Sequence, residues 1–115
     1  MTAPTIDIAT FEALQQTAGA EFVGELVDTF LEEAPGMLAD LRQALTAGNA
    51  DAFRRGAHSL KSNSLTFGAS ALGAMARELE MSGLAPVVAA NGAPLDVLER
   101  EYARVAAALT ELRNA

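Results

Sequence analysis

The side chains of this chain that could act as a nucleophile converge on one stretch, His58 to Gly68, which reads HSLKSNSLTFG and holds the only histidine. Phe53, Ala57, Leu60, Ser64 and Phe67 recur at spacings of four, three, four and three, which is one inward face of a helix. His58 is off that face. It shares the outward side with Arg54, Arg55, Lys61, Ser62 and Leu65. A neutral imidazole is nucleophilic near pH 7. A phosphoryl group placed on it adds up to about two negative charges, and the neighbouring cations would offset them. Helix side chains tilt toward the N-terminus, so Lys61 leans back over the turn that holds His58. Arg54 and Arg55 lie within reach on the same surface. Ser62, one turn after His58, is small enough to let another protein approach the ring. Leu65 is an apolar residue on the exposed side and a candidate docking contact.

Such a site needs helices to carry it, and the chain reads as helix throughout, punctuated by glycine and proline. A short first helix is expected from about Asp7 to Thr17, stopping at Gly19. A long second segment spans Ala20 to Ala47, with Phe22, Leu26, Phe30, Leu41 and Leu45 facing inward. Pro35-Gly36 predicts a kink or two abutting helices within it. Gly48 closes that segment and Asn49 caps the next. The histidine-bearing helix runs from about 50 to 66. Gly68 ends it, and Ser70 is expected to cap a fourth helix to about Ser82, with Leu72, Met75, Ala76 and Leu79 inward. Met75 and Met81 read as core or near-core. The stretch LAPVVAANGAP reads as an apolar loop packed over one end of the bundle. Pro94 suits the start of a last helix, with Leu98, Tyr102, Val105, Leu109 and Leu112 inward and Glu99, Arg100, Glu101, Arg104 and Arg113 facing water. The fold expected is all-α: an antiparallel up-and-down four-helix bundle with a short additional N-terminal helix, as a single domain over residues 1–115.

Composition excludes several classes of function. With no cysteine there is no thiolate chemistry, disulfide or cysteine-ligated metal. One histidine leaves a histidine-based metal site without ligands, so neither a metal nor a cofactor is expected on this chain. A formal net charge of −7 argues against nucleic acid as a partner. No apolar run reaches the length of a membrane span, and MTAPTIDIAT lacks the basic and apolar parts of a signal peptide. A cytoplasmic protein, monomeric and without a membrane, is the expectation. The acidic run Asp28, Glu32, Glu33 reads as a solvated face.

The stretch AHSLKSNSLTFGASAL resembles the signature of histidine phosphotransfer (HPt) domains, the phosphocarrier modules of two-component phosphorelays. The family pattern is His-x-Leu-Lys-Gly, then small residues and a helix-ending glycine; here it reads His58, Leu60, Lys61, Ser62, Asn63, Ser64 and Gly68. FVGELVDTFLEEAPGMLADLRQAL is similar to the family's preceding helical segment, and ARELE at Ala76 to Glu80 to the helix that follows. The likeness runs from about Ile6 to Leu112. It implies that His58 accepts a phosphoryl group from a receiver-domain phosphoaspartate, or from a kinase, and passes it to another receiver. Lys61 and Ser62 would stabilise the phosphoryl group. Arg54, Arg55, Leu65 and Glu80 are candidates for partner docking. The partners implied are response-regulator receivers and a hybrid histidine kinase. The receiver would supply the divalent metal, and this chain would have no autonomous catalytic activity. Ser62 stands where the family usually has glycine. Glu80 aligns with a position that in some members is a glutamine bonding the imidazole or its phosphate. A carboxylate there would hold the neutral ring and repel the phosphorylated one. Two rivals stand beside this reading: a bundle that docks a receiver or kinase without carrying phosphate, and a piece cut from a larger hybrid kinase.

Overall fold

A computed structural model describes residues 5–115, so Met1 to Pro4, the start of the stretch compared with a signal peptide, lie outside the described residues. The described residues form six helices and no strand: α1 (Ile8–Ala18), α2 (Ala20–Ala47), α3 (Ala50–Thr66), α4 (Ser70–Ser82), α5 (Leu84–Ala89) and α6 (Ala93–Asn114). α2, α3, α4 and α6 make the antiparallel bundle. The long axis of the molecule is 42 Å, the length that the 28 residues of α2 span at about 1.5 Å per residue. α2 is therefore the strut along which the other helices lie.

Two corners set the direction of α3. At the first, Gly48 has φ +67°; its N–H donates to the Leu45 carbonyl, and the Asn49 N–H donates to the Ala44 carbonyl at 2.9 Å. This left-handed closure satisfies carbonyls that the end of α2 would leave free. Asn49 Oδ1 then accepts from the Ala52 N–H at 3.0 Å and starts α3 at once. The second corner repeats the device. Gly68, at φ +81°, donates to the Leu65 carbonyl and Ala69 to the Ser64 carbonyl. Its own carbonyl accepts the Asp7 N–H at 2.8 Å. Asp7 in turn caps α1, taking the Ala9 N–H at 3.1 Å and the Thr10 hydroxyl at 3.0 Å. The N-terminal helix is thus moored to the α3–α4 corner.

The core is apolar from end to end. Val23, Val27, Phe30, Ala34 and Leu41 of α2 meet Phe53, Ala57 and Leu60 of α3, Leu72 and Ala76 of α4, and Leu98, Val105 and Leu109 of α6. Among the described residues two buried ones are polar, Ser64 and Glu101; the Ser64 hydroxyl donates to the Leu60 carbonyl at 2.6 Å, so it leaves no unmet hydrogen bond. Phe30 packs against Phe67 and Tyr102, with ring centroids 5.5 and 6.0 Å away. Arg42 grips Glu99 at 2.8 and 3.0 Å and also pairs with Asp96. Arg113 reaches Asp28 at 3.2 Å. Fourteen residues separate Asp28 from Arg42, and fourteen separate Glu99 from Arg113. Both pairs therefore belong to one antiparallel register of α2 and α6.

Several sequence expectations change. α2 runs unbroken through Pro35. Pro35 and Gly36 are both exposed, so the proline ring stands on the water side and the core stripe is untouched. Phe22 is exposed, not inward. At about 100° per residue it sits about 80° away from Phe30, whereas Val23 and Val27 take the inward places. Met81 is exposed rather than core. Glu101 is buried, not water-facing, with its carboxylate held by Arg104. Ser70 does not cap α4, since Ala69 occupies the N-cap position and makes no side-chain bond. The apolar loop contains the short helix α5, which buries Val87 and leaves Val88 outside.

The two corners yield a test. A Cβ at Gly48 would meet nothing within 4 Å, whereas one at Gly68 would lie 2.8 Å from the Asp7 carbonyl oxygen. Gly48→Ala is expected to cost about 1–2 kcal/mol for the left-handed backbone alone. Gly68→Ala should cost that plus roughly 1–3 kcal/mol of overpacking. Equal urea midpoints for the two variants would show that α1 is not moored at Gly68.

Candidate functional site

The register of α3 against α4 brings His58, Lys61 and Glu80 together. His58 lies on the solvent side of α3, its side chain 58% exposed. Glu80, on α4, is turned toward it and is only 20% exposed. His58 Nδ1 lies 2.6 Å from Glu80 Oε2, and Lys61 Nζ lies 2.8 Å from Glu80 Oε1. One carboxylate thus spans two residues that stand one helical turn apart. The hydrogen bond from Lys61 holds the Glu80 carboxyl below the usual carboxylate range; the bond from His58 adds to this, and partial desolvation opposes it. An ionised carboxylate only accepts hydrogen bonds, so the Nδ1 facing it carries the proton. In the neutral form of the ring the other nitrogen, Nε2, then holds the free lone pair.

Lys61 does not project freely into solvent beside His58. It is half-buried and bound across to α4. Its charge reaches the imidazole through Glu80 and neutralises the carboxylate that sits behind the ring. Arg54 and Arg55 stay on the His58 side of α3, and with His58, Ser59 and Glu80 they line a shallow depression. Both are engaged by Asp51, at 2.6 and 3.0 Å. Those bonds hold the Asp51 carboxyl below its ordinary value. Asp51 had not been singled out, although its spacing of three and four residues from the arginines is the signal that would have found it. It presents the two guanidinium groups as a fixed unit.

Ser62 is exposed one turn after His58, and no side-chain bond occupies its hydroxyl. Leu65 lies at the surface, against Gly73 of α4, where a Cβ would come within 2.6 Å of it. That close approach lays the leucine along the groove between the two helices. Among the described residues, no group of three or more acidic, histidine or cysteine side chains is arranged to hold a metal ion. Among the described residues no helix is long and apolar enough to cross a membrane.

Known proteins were compared with this chain. The profile of the family described as Hpt domain matches residues 25–115. The crystal structure of histidine-containing phosphotransfer protein B (HptB) from Pseudomonas aeruginosa PAO1 is similar at 34% sequence identity and a TM-score of 0.87. That alignment covers 98% of this chain and 97% of the other. No curated protein matches.

The carboxylate clamp makes a prediction about the ring itself. At pH 7, nitrogen-15 NMR should find the His58 proton on Nδ1. Glu80→Ala should let the proton redistribute between the two nitrogens. Because the Glu80 carboxyl titrates below its ordinary value in the fold, the clamp persists above the usual carboxylate range. It is lost as the pH falls through the lowered folded value. Identical ring-nitrogen shifts in wild type and Glu80→Ala would show that Glu80 does not set the tautomer.

Proposed function

The chain belongs to the Hpt domain family, and from that premise we propose that His58 is its phosphoryl acceptor, loaded from the phosphoaspartate of a receiver domain and discharged to the aspartate of another. The observation that carries the reading is the exposed His58 ring, whose Nδ1 is engaged by Glu80 while Nε2 has no hydrogen-bond partner among the described residues. The Nε2 lone pair attacks phosphorus. The bond from phosphorus to the aspartyl oxygen breaks, the electron pair leaves with the carboxylate, and an Nε2–P bond forms. Reversal onto a second aspartate regenerates the free imidazole. No proton needs to leave the ring, because Nε2 carries none at the start.

Glu80 matters during this step. The ring retains its Nδ1 proton while Nε2 bonds phosphorus, so positive charge develops on the imidazole. A carboxylate 2.6 Å away stabilises that charge. Repulsion between Glu80 and the new phosphoryl group is limited in two ways. The group is on the opposite side of the ring, and Lys61 offsets the carboxylate. Arg54 and Arg55 stand beside the ring where the phosphoryl oxygens, or the acidic surroundings of a receiver's aspartate, would come. The receiver brings the activated phosphate and its divalent metal.

Two experiments test the reading. Incubation with a panel of labelled phosphoreceivers should transfer label that is stable to base and lost in acid. His58→Gln should abolish the transfer and leave the helical circular dichroism unchanged, because the residue is outside the core. Acid-labile label retained on His58→Gln would place the group elsewhere. A wild type that binds receivers yet never takes label would favour a pure docking module.

Access supplies the second test. Ser62 leaves the turn beside the ring low, so Ser62→Arg should slow transfer from a receiver roughly ten-fold or more without unfolding the bundle. Ser62→Gly, the residue usual in the family, should preserve it. Wild-type rates in Ser62→Arg would show that no partner approaches over this turn.

A further inference from the structure

The cations around His58 are not held equally. Asp51 pairs with both Arg54 and Arg55, but by different bonds. Arg54 Nη2 donates to Asp51 Oδ1 at 2.6 Å, and that hydrogen bond is the first cause of the lowered Asp51 carboxyl. Arg55 Nε stands 3.0 Å from Asp51 Oδ2 and acts on the same carboxyl chiefly through its charge. The Arg55 side chain is also the more exposed of the two, 71% against 62%. Lys61 is locked by comparison, since its 2.8 Å pair with Glu80 is half-buried at both ends. Arg55 is therefore the cation beside the ring that is freest to move.

Its place on α3 gives it somewhere to go. Asp51 lies four residues before Arg55 and His58 three after it, and both spacings bring side chains of one helix together. Helix side chains lean toward the N-terminus, so Arg55 leans toward Asp51 and the His58 ring leans over the turn that carries Arg55. Arg55 and His58 line the same shallow depression. While the ring is free, the carboxylate that Arg55 pairs with is Asp51. A phosphoryl group on Nε2 brings up to about two negative charges within the same reach. An exposed pair with one carboxylate is weak and easily left. The phosphoryl group offers more charge and several acceptor oxygens, which a guanidinium can meet with two parallel N–H donors. When Arg55 departs, the hydrogen bond from Arg54 keeps the Asp51 charge offset.

We propose that Arg55 exchanges partners when His58 is phosphorylated: its guanidinium leaves Asp51, pairs with the phosphoryl oxygens, and returns to Asp51 when the group is passed on. Asp51 is then a positioning residue. In the free form it holds Arg55 beside the ring and away from the Nε2 lone pair. Arg54 stays on Asp51 in both forms. The arginine pair is thus a fixed unit only while the ring is free, and the loaded chain differs from the free one in its charge pattern at the start of α3 without any movement of the helices. This inference rests on the phosphocarrier reading above and adds how the site rearranges between its two states.

The test needs no protein partner. Phosphoramidate supplies the group: Nε2 attacks phosphorus, the donor's phosphorus–nitrogen bond breaks, and ammonia leaves with the electron pair. On loading of the wild type, the Arg55 Nε–H signal in nitrogen-15 NMR should shift while that of Arg54 stays in place. The phosphoryl group, followed by phosphorus-31 NMR, should have an acid constant roughly two- to five-fold larger in the wild type than in Arg55→Gln, the range that an exposed ion pair supplies. Asp51→Asn should raise that constant further, because Arg55 no longer has to leave a partner. The variant carrying both Asp51→Asn and Arg55→Gln should lose most of this gain, since Asp51 acts through Arg55. An unmoved Arg55 signal on a loaded wild type overturns the exchange, and so does a shift of Arg54 in its place. An equal effect of Asp51→Asn with and without Arg55 overturns the positioning role of Asp51. A wild type that takes no acid-labile phosphoryl group, or a His58→Gln variant that takes it equally well, overturns the phosphocarrier reading itself, and the exchange falls with it.

Discussion

The site depends on how α3 and α4 are joined. They fold back on each other through one tight corner, with Gly68 in a left-handed conformation that both helix ends exploit. His58 lies ten residues before that glycine and Glu80 twelve after it. The corner therefore sets how far up α4 a residue must stand to face the histidine. One more residue in the turn would rotate Glu80 by about 100° and carry its carboxylate away from both His58 and Lys61. A glycine is needed because the corner requires a positive φ and because the backbone of Asp7 approaches within hydrogen-bonding distance. The mooring of α1 and the geometry of the site thus share one constraint.

Electrostatics around the ring are arranged in pairs. Glu80 is matched by Lys61, and Asp51 by Arg54 and Arg55. The exposed Asp51 pairs contribute little stability. Their effect is positional. Glu80 orients an imidazole that would otherwise rotate about two side-chain torsions, and Asp51 keeps two long arginines close to the helix. Both pairs also leave the ring in a nearly neutral setting within an acidic protein, where an arriving phosphoryl group meets less repulsion than the net charge suggests.

The surface complements this chemistry by being low. Ser62 beside the ring, the alanines at the start of α3 and on α5, and Gly73 under Leu65 all reduce height around His58. The bulk of the bundle is directed elsewhere: phenylalanines and leucines fill the interior, and the Arg42 and Arg113 clusters lie along α2 and α6. A side chain that reacts with a group carried by a second protein needs such an approach more than it needs a cavity.

The sequence by itself determined the helical class, the four long helices, their glycine corners and the place of His58 on a solvent face. Those features are local: hydrophobic spacing, caps and left-handed glycines act within a few residues. The family likeness was also legible, since HSLKSNSLTFG combines the acceptor, the lysine and the helix end in one run. Tertiary structure decided the rest. Local rules placed a break at Pro35, and α2 stays whole with the proline on its exposed side. Residues 84–89 carry apolar side chains without enough length to announce a helix, and only burial of Val87 explains the turn they make. Glu101 reads as a surface charge by type, yet its position on α6 buries it. The bond from Glu80 to both His58 and Lys61 joins residues 22 and 19 apart. No local periodicity encodes such a contact, because it depends on the angle at which α4 returns along α3.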